Sequence, residues 1–157
     1  MFHKIMVPLD GSPDSEAALE PARYMAKTTG AGLLLVRVTG IPDEADVTPV
    51  LPIPLESLAR EQVRCEKFLI QRAKPLDEAG FKVTWKALPY SDDPAEQLVA
   101  AAGDYSIDLI VLTSHRRRGL ERAVLGSVAE KLARLSPCPV LIVGQQPTLL
   151  DQTKKDV

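Results

Sequence analysis

Five short apolar runs, separated by stretches of helical periodicity, constrain this chain more than any other feature. They are KIMVPL (4–9), GLLLVRV (32–38), FKVTWKAL (81–88), IDLIVLTS (107–114) and PVLIVG (139–144). All but the third are largely continuous in apolar residues, the pattern of strands covered on both faces of a parallel sheet. The third alternates. Phe81, Val83, Trp85 and Ala87 fall on one side and Lys82, Thr84 and Lys86 on the other, as expected of an edge strand with one wet face.

The intervening segments read as helices. In DGSPDSEAALEPARYMAKTTG, Ser12 is placed to cap the helix and Pro13 to open it, and Pro21 is expected to bend or weaken it. A second helix is expected from about Leu55 to Ala79, with Cys65 on its apolar face and a conflict at Pro75. In DDPAEQLVAAAG, Asp93 is the N-cap and Gly103 the stop. In SVAEKLARLS, Ser127 and Glu130 have the spacing of a capping box. The alternation of strand and helix implies a single α/β domain over 1–144, with a parallel sheet, right-handed crossovers and helices on both faces. The proline-rich segment 40–54 reads as a mobile surface loop and 145–157 as a flexible tail. In such sheets ligands sit beyond the carboxyl ends of the strands, where strand order reverses.

Composition excludes several classes. The net charge of −2 argues against a dedicated nucleic-acid binder, and the run Arg116-Arg117-Arg118 is too short to reverse that. No apolar run is long enough to span a membrane, and the N-terminus lacks the features of a secretory signal, so a cytoplasmic location is expected. Cys65 and Cys138 do not make a disulfide framework, and His3 and His115 have no metal-ligand spacing, so no metal site is expected. A receiver-type signalling domain would need an acidic cluster after the first strand and an aspartate after the third; Asp10 stands alone at the first place and Leu88-Pro89-Tyr90 occupies the second.

Two stretches, KIMVPLDGSPDSEAALEPA and DPAEQLVAAAGDYSIDLIVLTSHRRRGLERAVLGSVAEKLARLSPCPVLIV, resemble the universal stress protein family in order and spacing. The resemblance implies a Rossmann-like sheet of the adenine nucleotide alpha hydrolase type, with strand order 3-2-1-4-5. It also implies a stress-response regulator that forms a homodimer through the last strand, Val140, Leu141, Ile142 and Val143. An apolar edge of that kind calls for a partner or a cover on general grounds; the alternative is that the tail folds back over it.

Many members of the family bind ATP through Gly-x-x-Gly, a spacer, and then Gly-Ser or Gly-Thr. The matching positions here are Thr113, Arg116, Gly126 and Ser127. Both early glycines are replaced, and Gly119 lies out of register. Glycine lets the backbone approach a phosphate, so Arg116 either closes the site or re-equips it, since a guanidinium also binds phosphate. The resemblance further assigns Asp10 to the adenine nucleotide, Pro8, Val38 and Leu112 to its surroundings, and Gly126, Ser127 and Val128 to the phosphate turn. Each residue has a plainer role too: Asp10 in a turn, Pro8 and Val38 in the core, Ser127 as a helix cap, and the arginines as a solvated loop. The resulting expectation is an ATP or AMP sensor, with Mg²⁺ only as a companion of bound nucleotide. The alternative is a nucleotide-independent interaction module with unknown protein partners. No catalytic residue is assigned, because Ser127 lacks an oriented base; slow ATP hydrolysis is the most that the pattern suggests.

Overall fold

The computed structural model describes residues 1–40, 54–114 and 126–144. Five parallel strands, β1 (Lys4–Pro8), β2 (Gly32–Val38), β3 (Val83–Leu88), β4 (Leu109–Thr113) and β5 (Val140–Val143), form one sheet in the order β3-β2-β1-β4-β5. The helices are α1 (Pro13–Glu16), α2 (Leu19–Thr29), α3 (Leu55–Glu78), α4 (Pro94–Asp104) and α5 (Ser127–Leu135). None among the described residues is long and apolar enough to cross a membrane. The interiors of the proline-rich loop and of the arginine loop, and the tail from 145, lie outside the described residues.

The continuous apolar strands divide their side chains between two cores, because successive residues of a strand face opposite ways. Ile5, Val7, Leu33, Leu35, Leu109 and Val111 pack with α2 and α3 on one face. Met6, Leu34, Val36, Ile110 and Leu112 pack with α4 and α5 on the other. Cys65 is fully buried among the first set, as its place on the apolar face of α3 predicts, and burial pushes its thiol pKa up.

Local details depart from the sequence reading for identifiable reasons. The helix expected across Pro21 is two helices, parted at Ala17–Ala18. Pro21 thereby falls in the first turn of α2, where an amide N–H has no intrahelical partner to lose. Helix α3 runs through Pro75 to Glu78, and the Gly80 and Phe81 amides close it by donating to Asp77 O (2.9 Å) and Leu76 O (3.1 Å). Gly103 does not end α4. The helix continues to Asp104, and Ser106 takes the left-handed turn (φ 52°), so that the Ile107 amide reaches Ala102 O at 2.9 Å and Ile107 enters the core. On β3, which is an edge strand as read, Trp85 is exposed rather than covered, since a ring that large overhangs an edge with no further neighbour. Strand β5, the other edge, is only partly covered, and Leu141 is exposed.

Candidate functional site

Strand order reverses between β1 and β4, whose pairing sets Ile5 beside Leu109 and Met6 beside Ile110. Carried forward, that register brings Pro8 beside Leu112 at the carboxyl edge. Pro8 also pairs with Val36 of β2, and Val38 ends that strand. The alternation of the two cores puts Pro8, Val38 and Leu112 on the face that carries α4 and α5; Val38 and Leu112 belong to that core, and Val128 of α5 packs against it. Four of the apolar residues expected at the site therefore share one face.

Thr113 takes the opposite face. It is buried, is the last residue of β4 and pairs with Val143. Its backbone is extended strand, so no left-handed conformation demands a glycine here. Arg116 and the rest of the arginine loop lie outside the described residues.

Asp10 lies two residues beyond the end of β1, after buried Leu9, and is exposed. Its Oδ1 accepts from the Ser12 N–H (2.8 Å) and the Ser12 hydroxyl (2.6 Å), an Asx turn. Ser12 caps α1 as expected, its Oγ accepting from the Ser15 N–H at 3.2 Å. The turn role of Asp10 is thus present.

Ser127 is not the cap of α5. Gly126 holds that position, its carbonyl accepting from the Glu130 N–H at 2.9 Å, and Ser127 is the first helical residue with no capping bond. Glu130 then lies one position too far along to close a capping box, and its carboxylate sits 3.9 Å from Arg134 instead. Gly126 has φ −61° and ψ 152°, which any residue adopts, so its dihedral angles do not explain the glycine. The amides of Ser127, Val128 and Ala129 make no hydrogen bond among the described residues, and Ser127 is exposed. This donor set fits a phosphate: N–H groups at the positive end of a helix, a hydroxyl, and a residue without a side chain at the entrance.

Helix α5 is anchored by Ala129 and Leu132, both buried against the sheet, and by Lys131, which donates to the Asp93 carboxylate and lies 3.3 Å from Glu96 of α4. Hydrogen bonding from Lys131 holds the Asp93 carboxyl below its ordinary pKa, and the same bond raises that of Lys131. Asp93 is legible in the sequence as a cap, but Lys131 is not, since a contact between two helices leaves no local pattern. Arg37, likewise outside the expected set, did leave a usable signal: a lone charge in the apolar run GLLLVRV.

A sequence model described as the universal stress protein family matches residues 1–144. Universal stress protein YxiE of Bacillus subtilis (strain 168) is 31% identical over 147 residues, spanning 91% of this chain and 99% of its own. Among solved structures, universal stress protein UspA from Lactobacillus plantarum superposes with a TM-score of 0.70 at 26% identity, over 90% of this chain and 97% of that one. A universal stress protein solved in complex with cAMP shares the fold, with a TM-score of 0.64 at 24% identity over 90% and 97% of the two chains. On the extent of these matches, the chain belongs to the universal stress protein family.

Proposed function

We propose that this protein is a cytoplasmic, dimeric stress-response regulator that binds an adenine nucleotide, ATP or AMP, at the carboxyl edge between β1 and β4. The observation that carries this reading is the convergence of Pro8, Val38, Leu112 and Val128 on one face with the uncapped N-terminus of α5. Adenine is flat and apolar on its faces, and the half-buried Pro8 and Val38, backed by buried Leu112, suit it. Asp10 accepts hydrogen bonds from the base or the ribose with its carboxylate. Gly126, Ser127 and Val128 hold phosphate oxygens through amide N–H groups and the Ser127 hydroxyl. Mg²⁺, where present, arrives with the nucleotide and neutralises its phosphates. The universal stress protein solved with cAMP, which shares this fold, lends support to the ligand class.

The dimer is proposed through β5. The Ile110 N–H bonds Pro139 O and the Ser114 N–H bonds Val143 O, so the backbone of alternate residues turns toward β4 and that of Val140 and Ile142 turns outward. A second copy offers the same edge in return.

One observation favours a second reading, a nucleotide-independent interaction module: Thr113 and Arg116 stand where the family's ATP-binding pattern has glycine. The two separate in one experiment. Protein purified gently is denatured, released small molecules are identified by chromatography and mass, and emptied protein is titrated with ATP and AMP. Stoichiometric adenine nucleotide, or saturable binding, is expected. No carried nucleotide and no binding at millimolar ATP would leave the interaction module.

A further inference from the structure

We propose that Arg37 is a positioning residue for the turn that carries Asp10, acting from the sheet face opposite the candidate site; the consequence for ligand binding rests on the nucleotide reading above. Arg37 lies one residue before Val38 in β2, so its side chain points to the α3 face while Val38 points to the α5 face. There its guanidinium lies against the turn after β1. A methyl group built on Gly11 would sit 2.9 Å from Cζ and from both terminal nitrogens of Arg37. Equal distances to three atoms of one plane mean that Gly11 faces the flat of the group. Gly11 also has φ 90°, and that left-handed backbone is what favours glycine here, while the close contact shows how near the guanidinium lies.

The guanidinium is held in place from α3. Its Cζ lies 4.9 Å from the centre of the Phe68 ring, and its Nη2 lies 3.8 Å from the buried Glu61 carboxylate. Among the described residues it makes no hydrogen bond. Ring stacking, charge and the backbone of Gly11 fix it, as suits a planar and weakly hydrated cation. Arg72 lies 4.7 Å from the same ring and donates from Nε (2.9 Å) and Nη2 (2.8 Å) to Glu16 of α1. Helix α3 therefore grips both ends of the segment Gly11–Glu16. One end is held by Arg72 and Glu16, the other by Arg37 packed on Gly11. Asp10 precedes the clamped glycine, and its carboxylate is tied to Ser12 just beyond it, so the clamp fixes where the carboxylate stands.

The test uses the full chain. Arg37→Met keeps an apolar stem and removes the planar cation; Arg37→Lys, milder, keeps a charge for Glu61 without the plane. Arg23→Met is the control, since Arg23 stacks on Phe81 outside this cluster. Amide hydrogen exchange is followed by residue, and ATP and AMP affinity by calorimetry. Loss of the clamp is expected to speed exchange at the Ser12 and Ser15 amides roughly tenfold while α4 and α5 keep their protection. Adenine nucleotide affinity is expected to fall roughly tenfold, the scale of one charge-assisted hydrogen bond misplaced. Arg37→Lys should show a smaller form of both effects and Arg23→Met neither. Unchanged exchange at Ser12 and Ser15 overturns the proposal, as does unchanged affinity in a protein that binds nucleotide. Should the wild-type protein bind no nucleotide, the functional reading falls, and the exchange measurement alone decides whether Arg37 holds the turn.

Discussion

Thr113 and Arg116 replace two glycines of one motif, yet the fold separates their consequences. Thr113 sits in extended strand with its side chain on the α3 face, away from Pro8, Val38 and Leu112. Thr113→Gly is expected to leave ATP affinity unchanged and to cost about 1 kcal/mol of stability, because glycine has more backbone freedom to lose and forfeits a buried side chain. Arg116→Gly is expected to account for the whole gain in affinity when both glycines are restored; calorimetric titration of the two single variants and the double variant checks this. A gain from Thr113→Gly alone would mean that the two faces are not independent. The Asp10 carboxylate shows why residue identity alone leaves a role open. Its bonds to Ser12 are what any Asp-Gly-Ser turn forms, and that turn also follows the end of β1, where a ligand is proposed.

At the scale of elements, α5 carries the proposed phosphate end and depends on a few contacts. Leu132 is fully buried beneath it, and Leu132→Ala is expected to cost about 2–5 kcal/mol, measured by denaturant unfolding. The link from Lys131 to Asp93 adds a pH dependence. The Asp93 carboxyl is depressed in the folded state, so its contribution is complete above its ordinary value of 3.8 and is lost as pH falls through the lower folded value. The stability difference between wild type and Lys131→Met is therefore expected to be constant near neutral pH and to shrink below about pH 4. Unfolding curves across that range check it, and a difference that grows on acidification would contradict it. Much at this scale was legible in the sequence. Apolar runs and cap residues such as Ser12 and Asp93 carry their own physics, and β2 was read with its observed ends. The cap of α5 was misread by one residue because Gly126 and Ser127 both suit an N-cap, and the choice rests on where the backbone turns helical. The end of α4 was misread because the burial of Ile107, a tertiary event, decides it. The grip of Arg37 on Gly11 joins residues from different strands and turns, and no local pattern announces it.

For the whole molecule, strand order is the feature that gathers the candidate site residues at the carboxyl ends of β1 and β4, and it leaves β5 as the edge where a partner copy is proposed. Leu141 is exposed on that strand. Leu141→Lys is expected to change the stability of an isolated subunit by no more than about 0.5 kcal/mol, as for other surface substitutions, yet to convert dimer to monomer in sedimentation velocity. A dimer that survives the lysine would place the interface elsewhere. The central claim is that an adenine nucleotide occupies the edge between β1 and β4. Its most direct test is titration of isotope-labelled protein with ATP, followed amide by amide in nuclear magnetic resonance spectra. Saturable shifts are expected at Asp10, Ser127, Val128 and Ala129, with the β3 edge unmoved. Binding that leaves those four amides undisturbed, or no binding at millimolar ATP, would contradict it.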